Sequence, residues 1–348
     1  MAQRAQRPNR YKIKEACSVK AVVIKGAGDI AVVDGDQQAL QEGQVRVAVQ
    51  RVGLCGTDFS LAQGQLGLNT FPVTPGHEVV GVVRESRSPH WAEGDPVALD
   101  PLLNCGSCEA CRSGHPQWCN QVGVIGVVQE GGLQEELVLG AQHWVRIPDA
   151  VSLRDAVLLE PTHVVSTVLS TVNWESIGDL LILGTGALGL LLIRVLTYLA
   201  PHTTVWAYDP VPERLDRAVQ ASARRWSPQG APAVDVVIDG VGAAASADMA
   251  AQAIRPGGHI VVYGVPKPDT AVTTAALLFR KNVQVTYSRL YSHDFSQAVA
   301  WIESGWVQAS AVVSDELTLD QVPPFLREKR WLLPQRWGKA VVVVREEG

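Results

Sequence analysis

Four of the six cysteines in this 348-residue chain, Cys105, Cys108, Cys111 and Cys119, fall within 15 residues as C-x2-C-x2-C-x7-C. Disulfides between such near neighbours are strained, whereas thiolates at this spacing converge on one tetrahedral zinc. Asn104, Gly106, Ser107, Gly114 and Pro116 make the segment a turn-rich lobe with no core of its own. A closed site of four thiolates holds such a lobe together, so this zinc reads as structural; the plainer alternative is four incidental thiols in a loop. A second group is more dispersed: Cys55-Gly-Thr-Asp58, then Gly76-His77-Glu78, then Glu160-Pro161. One thiolate, one imidazole and a carboxylate suit an open, catalytic zinc with a position left for water or substrate. Taken singly, Cys55 reads as packing and Gly76-His77-Glu78 as a turn, so the metal reading rests on their joint occurrence. Cys17 stands outside both sets and reads as incidental.

A third signal is Gly184-Thr-Gly186-Ala187-Leu188-Gly189, a GxGxxG directly after the apolar run Leu180-Leu-Ile-Leu183. Alone the pattern is weak, because glycines are common in turns. Here it follows a strand and opens a helix, and Asp209 ends the next apolar run. Gly184 permits the tight turn, Gly186 lets backbone approach a pyrophosphate, and Gly189 lets helix and strand pack closely. The helix N-terminus offers free N–H groups and a positive dipole to the phosphates. Asp209 can accept hydrogen bonds from both ribose hydroxyls and repel a 2′-phosphate, which favours NAD over NADP. Arg214 is placed to stack on the adenine, or is only a solvated helix residue.

The elements that must position these groups change texture near residue 155. Before it, short apolar runs at 21–24, 44–52, 79–83, 96–99, 133–139 and 143–147 are punctuated by Gly, Pro, Asp and Asn, as in a barrel-like β domain. After it, strands at 179–183, 203–208, 234–239 and 259–264 alternate with helices at 187–199, 212–222 and 243–254, the rhythm of a parallel doubly wound sheet. The tail 337–344 is strand-like again and can rejoin the first domain. Apolar residues at 47% and charged residues at 19% suit a globular chain of two domains and exclude disordered and coiled-coil classes. Thirty Lys+Arg against 35 Asp+Glu leave a charge of −5, with no basic stripe beyond the first 14 residues, which argues against a nucleic-acid binder. No run of 18 apolar residues is present, so no membrane span is expected, and the N-terminus lacks the apolar stretch of a secretory signal. The expected location is the cytoplasm, with 1–18 an unstructured extension.

In order and spacing these motifs resemble the zinc-dependent medium-chain dehydrogenases/reductases, in the sorbitol, threonine and cyclitol dehydrogenase branch, over about residues 19–348. The resemblance implies an α/β fold: a GroES-like β domain (19–158 and 299–348, with the structural-zinc lobe at 100–122) plus an inserted Rossmann domain with a doubly wound parallel sheet (159–298). It implies two zincs per chain. Cys55, His77, Glu78 and Glu160 match the catalytic-zinc carboxylate, imidazole and thiolate positions, and Cys105, Cys108, Cys111 and Cys119 the structural zinc. Asp58 matches the carboxylate that orients the ligand histidine. Thr57 is placed to take the substrate hydroxyl proton. Val241, Val262 and Gly264 match segments lining the nicotinamide. Phe59, Trp118 and 122–128 are the expected pocket residues. Relatives form homodimers or homotetramers. The implied reaction is hydride transfer between NAD(H) and a small-molecule secondary alcohol or ketone: a polyol, cyclitol or amino-cyclitol.

Four positions depart from the family's pattern. A relay histidine is replaced by Ser60, so the proton leaves through water or the ribose hydroxyl, and serine there resembles aminocyclitol dehydrogenases. The stretch 220–234 is short, so a peripheral strand is expected to be missing. His163, three residues after Glu160, reads as a packed histidine with a relay role as the alternative. Glu136 stands where the family often has tyrosine. The competing functions are a zinc hydrolase, which leaves the dinucleotide turn unexplained, a catalytically inactive zinc- and nucleotide-binding homologue, and a reductase acting on primary alcohols.

Overall fold

The computed structural model describes residues 18–67, 70–266, 275–333 and 336–345. The expected N-terminal extension lies outside them, Cys17 included, except for Ser18, which opens the first strand. The first region is built on strands rich in β-branched residues. A hairpin of β1 (Ser18–Gly26) and β2 (Asp29–Asp36) leads to β3 (Gln44–Leu54), and the short helix α1 (Gly56–Ala62) follows. Then come β4 (Glu78–Ser86) and β5 (Pro96–Leu99), the two-residue β6 (Leu102–Leu103) and β7 (Gly123–Val124), and β8 (Glu136–Gly140) and β9 (Trp144–Arg146). Strand β3 is flanked on both edges, and its valines 45, 47, 49 and 52 are fully buried. That is the signature of a central strand.

The chain next enters the helix α2 (Leu159–Leu169) and a six-stranded parallel sheet. Its strands are β10 (Asp179–Leu183), β11 (Thr204–Tyr208), β12 (Arg224–Arg225), β13 (Val234–Asp239), β14 (Ile254–Val262) and β15 (Gln284–Tyr287), in the spatial order β12-β11-β10-β13-β14-β15. Helices α3 (Ala187–Leu199), α4 (Pro212–Gln220), α5 (Ala244–Ala253) and α6 (Ala275–Lys281) connect them. Buried Leu180, Leu181, Ile182 and Leu183 run without alternation, as expected of a parallel strand covered on both faces. The expected loss of a peripheral strand needs correcting. The strand is present as β12, shortened to two residues, because 220–234 has length only for a brief pairing of Trp206 with Arg224 and Ala207 with Arg225.

After α7 (Ser296–Glu303) the chain returns to the first region through β16 (Val313–Leu317), α8 (Val322–Arg327) and β17 (Lys339–Val343). A seven-stranded sheet then reads β16-β17-β3-β4-β5-β9, with β8 also paired to β3. The tail therefore rejoins the first sheet, with Leu54 opposite Ala340, Gly53 opposite Val341 and Val52 opposite Val342. One apolar core crosses between the regions: Val80 and Ala98 from the first sheet, Leu159, Val165 and Val168 from α2, and Leu190 and Leu191 from α3 belong to it. Helix α2 is thus the seam.

A polar clasp closes the same seam. In the segment after β15, His293 Nδ1 lies 2.5 Å from Asp100 Oδ2, and its Nε2 lies 2.6 Å from Asn104 Nδ2. The Asp100 hydrogen bond raises the His293 imidazolium above its ordinary 6.5. A folded-state pKa above the unfolded one means the stabilisation is complete below about pH 6.5 and disappears as pH rises through the folded value. Thermal melts between pH 5.5 and 9 are expected to show His293→Gln costing Tm at the acid end and little at the alkaline end; an equal loss at both ends would exclude the clasp as the cause.

Candidate metal and dinucleotide sites

Helix α1 begins at the metal-site cysteine. Cys55 is its N-cap, and Asp58 at N3 reaches back so that its Oδ2 accepts the Cys55 N–H at 2.8 Å. Asp58 Oδ1 accepts the Gly76 N–H at 3.1 Å and lies 3.7 Å from His77 Nδ1. One wholly buried carboxylate therefore ties the loop before His77 to the loop carrying Cys55. Burial pushes the Asp58 carboxyl up, against the opposing charge of His77. Glu78 follows as the first residue of β4. Donor atoms of Cys55, His77 and Glu78 all lie within 4.8 Å of one another. The set is a thiolate, an imidazole and a carboxylate, the donors an open zinc site uses, so the residues present fit the metal.

Glu160, in the first turn of α2, stands outside that three-donor group but near enough for its charge to act on His77 and Glu78. Its Oε1 accepts the hydroxyl of fully buried Tyr291 at 2.7 Å. Burial pushes the Glu160 carboxyl up to about 7, opposed by His77. Burial also drives the Tyr291 phenol well above 10, with the Glu160 charge adding to it, so this hydroxyl is a permanent donor. Thr57 stands beside the thiol, its Oγ1 3.8 Å from Cys55 Sγ. Ser60 sits half-buried one turn further along α1. Behind the seam His163 is a packed histidine: its ring lies 4.6 Å from Tyr291 and 4.2 Å from Phe295, and Nε2 is 2.8 Å from the Ser292 carbonyl.

In the cysteine lobe, Sγ of Cys108 and Cys111 are 3.4 Å apart and those of Cys105 and Cys111 4.0 Å. A tetrahedral zinc with Zn–S near 2.3 Å places sulfurs about 3.8 Å apart, and a disulfide about 2.05 Å. Backbone N–H groups of Cys108 and Gln121 point at Sγ of Cys105 and Cys119, both at 3.3 Å, as they do around metal thiolates. The four donors fit a closed zinc. Trp118 stacks on His115 at 4.1 Å and is 65% exposed on the lobe. Phe59 stacks on Trp331 at 4.3 Å beside α1.

The glycine-rich turn has the geometry its residues suggest. Gly184 has φ +90°, and its N–H donates to the Tyr208 carbonyl at 2.9 Å. A Cβ on Gly186 would meet nothing within 4 Å, which leaves the backbone at the start of α3 approachable, whereas a Cβ on Gly189 would clash with the Gly184 carbonyl oxygen. Ala187 and Leu188 form the first turn of α3. Asp209, buried at the end of β11, accepts the Thr185 N–H at 2.8 Å and the Val211 N–H at 2.9 Å, one on each oxygen. Across the sheet, Val241 follows β13, Val262 ends β14, and Gly264 packs so closely on Gly240 and Gly242 that a side chain there is excluded. All lie at the carboxyl ends of the strands around β10 and β13, the switch point of such a sheet. Arg214 does not stand free: its Nη2 donates to the Trp331 carbonyl at 3.5 Å.

Sequence reasoning missed three residues here. Lys339 opens an apolar strand and looks like an edge residue, yet its Nζ is buried 2.5 and 2.6 Å from the two Glu78 oxygens. Tyr291 sits in a polar connection with no motif, and Gly53 looks like an ordinary strand glycine. Glu136 also gains an account: it accepts from the buried Arg46 guanidinium at 3.2 Å and from Gln37 at 2.8 Å. Replacing Cys111 by serine is expected to remove one metal per chain and to lower Tm, with the Cys55 set left loaded; elemental analysis beside a thermal melt checks it, and an unchanged metal count would exclude a closed lobe site.

Two family models match: the alcohol dehydrogenase GroES-like domain over residues 41–149 and the zinc-binding dehydrogenase over 187–304. The chain is 30% identical over 307 residues to D-altritol 5-dehydrogenase of Agrobacterium fabrum, covering 83% of this chain and 90% of that one. The fold is shared with an Escherichia coli CFT073 alcohol dehydrogenase solved with NADH, at TM-score 0.85 and 24% identity over 94% of this chain and all of the other. It is shared equally with a zinc-binding dehydrogenase of Sinorhizobium meliloti bound to NADP, at TM-score 0.84, 24% identity and the same coverage of both chains. With the GroES-like region, the inserted parallel sheet and both donor sets in place, the chain belongs to the zinc-dependent medium-chain dehydrogenase/reductase superfamily and is an oxidoreductase of the alcohol dehydrogenase type.

Proposed function

We propose that the chain transfers hydride between NAD(H) and the secondary alcohol of a polyol, cyclitol or amino-cyclitol, with a catalytic zinc at Cys55, His77 and a carboxylate, and a structural zinc in the cysteine lobe. The observation that carries this is the Tyr291–Glu160 hydrogen bond of 2.7 Å. Tyr291 follows the carboxyl end of β15 and Glu160 is coupled in charge to His77 and Glu78, which supports a metal site against the edge of the sheet where a dinucleotide crevice opens. A zinc held there by Cys55, His77 and a carboxylate would supply Lewis acidity toward a substrate oxygen, and a nicotinamide bound in the crevice would supply the hydride chemistry.

The chain's own residues do the rest. Asp58 holds the Cys55 and Gly76 loops and faces His77, which fixes the imidazole's orientation. Thr57 lies where its hydroxyl can accept the substrate proton and pass it to water or to the ribose, since Ser60 offers no imidazole. Helix α3 offers its open N-terminus to the pyrophosphate, and Asp209 retains free lone pairs toward the ribose hydroxyls, which supports NAD over NADP. A polyol-class substrate is supported by the relative that acts on D-altritol. A homodimer or homotetramer is supported by β15, an unpaired sheet edge on which Val285 and Tyr287 are exposed beside Phe279 of α6. Among the described residues no helix is long and apolar enough to cross a membrane, and the described cysteines are free thiols, which suits a reducing, cytoplasmic setting.

Cys55→Ala is expected to lower zinc from two to one per chain and abolish NAD⁺ reduction across a panel of polyols, cyclitols and amino-alcohols. One zinc in both proteins, with no turnover by either, would sink the dehydrogenase reading. Asp209→Asn keeps an acceptor for the backbone and removes the charge; the NAD⁺/NADP⁺ ratio of kcat/KM is expected to fall about tenfold, the size of a charged hydrogen bond, and an unchanged ratio would assign cofactor choice elsewhere.

A further inference from the structure

Tyr263 follows β14 at the carboxyl end of the parallel sheet, where a dinucleotide crevice opens. Its N–H donates to the Asp239 carbonyl at 3.0 Å, and the Gly240 N–H donates to the Leu183 carbonyl at 3.0 Å. Tyr263 and Gly240 therefore continue the register one residue past the ends of β14 and β13. Two residues back, Val261 and Ile238 belong to the apolar core shared with α2 and α3, and Tyr263 packs against that same core. Side chains two apart on a strand share a face, so the phenol stands on the side of the sheet that α2 covers.

The fold makes room for this ring. A Cβ on Gly240 would collide with the Tyr263 hydroxyl and with the ring carbon that bears it, so only glycine leaves the phenol its place. The next residue, Val241, touches the phosphate turn: a Cβ on Gly184 would come within 2.9 Å of its Cγ2. The hydroxyl is thus one residue away from the contact between the end of β13 and the glycine turn. Among the described residues no group hydrogen-bonds to it. Burial pushes the phenol above its ordinary 10 and the Asp239 charge adds to this, so the group stays a protonated donor. Phenylalanine would fill the same half-buried space, whereas an enclosed tyrosine hydroxyl normally has a partner. The acceptor that the protein does not supply is one that a ligand in the crevice can bring.

Resting on the dehydrogenase reading above, we propose that Tyr263 is a cofactor-binding residue whose hydroxyl donates to an oxygen on the nicotinamide-riboside half of the dinucleotide. The strand order decides which half. Asp209, read as the ribose partner on the adenosine side, ends β11, while Tyr263 follows β14, and β10 and β13 lie between them. A dinucleotide with its pyrophosphate at the start of α3 and its adenosine beside β11 extends its other half toward β14. The oxygen that accepts is the carboxamide carbonyl or a ribose hydroxyl, and both suit a neutral phenolic donor.

The test is made on full-length, zinc-loaded Tyr263→Phe, which removes one oxygen and keeps the ring, with binding read by calorimetry so that no turnover is needed. Affinity for NADH is expected to fall about three- to tenfold, the size of one neutral hydrogen bond. Affinity for ADP, which stops at the pyrophosphate, and the Tm of the ligand-free protein are expected to match wild type. ADP-ribose separates the two acceptors: a loss equal to that for NADH assigns the ribose, and wild-type affinity assigns the carboxamide. Unchanged NADH affinity, or a loss shared by ADP and accompanied by a lower ligand-free Tm, would overturn the role of Tyr263 while leaving the dehydrogenase reading intact. Wild-type protein that binds neither NADH nor ADP would instead overturn that reading, and this one with it.

Discussion

The antiparallel pairing of β17 with β3 is the constraint on which the rest of the structure leans. It brings the last strand of the chain back beside Val52, Gly53 and Leu54, immediately before Cys55, and so makes the parallel sheet an insertion between two parts of one β region. Because β3 is flanked by β17 on one side and β4 on the other, Lys339 and Glu78 come within salt-bridge distance only across it. A buried lysine and glutamate are tolerated there because each neutralises the other and hydrogen bonds satisfy them; removal of either partner leaves an uncompensated charge. The same pairing thus closes the β region and sets the electrostatics of the metal site.

Burial governs the chemistry of that site. Asp58, His77, Glu78, Tyr291 and Lys339 are buried, and Glu160 is half-buried. A carboxylate in such surroundings keeps its charge only where donors or cations face it. Each one here has a different set: two backbone N–H groups for Asp58, an ammonium for Glu78, a phenol for Glu160. These differences give three acidic groups of one kind three distinct surroundings. A thiolate–imidazole–carboxylate cluster in bulk water would have no such sorting, since solvent would satisfy each oxygen alike.

The seam between the regions joins the two sites. Helix α2 carries Glu160 on one face and buries Leu159, Val165 and Val168 in the shared core on the other. The segment after β15 is pinned to the cysteine lobe through His293, Asp100 and Asn104, and it presents Tyr291 to Glu160. Arg214 of α4 reaches the Trp331 carbonyl while Trp331 stacks on Phe59 of α1, and Arg217 lies 4.3 Å from the Trp337 ring. Polar and ring contacts therefore run from the parallel-sheet region to the elements that hold the candidate metal donors.

The sequence by itself determined the parts whose physics is local. A tetrahedral thiolate lobe needs only close cysteines in turns, so C-x2-C-x2-C-x7-C was sufficient. A phosphate turn needs glycine at three spaced positions after an apolar strand, and 184–189 adopts that geometry with α3 spanning the expected residues. Cys55, Asp58, His77 and Glu78 were recognisable through their joint occurrence with the cysteine lobe and the glycine turn and through the family resemblance. Tertiary structure alone decided the remainder. The edge strand β12 survives at two residues because pairing depends on its neighbour β11 rather than on its own length. Glu136 makes sense only beside Arg46, and Trp118 is exposed against His115. Lys339 and Tyr291 lie 261 and 131 residues from the carboxylates they hold, and no periodicity or motif records such a pairing. Charges and hydrogen bonds act through space, and the distances they act across are set by how strands pair.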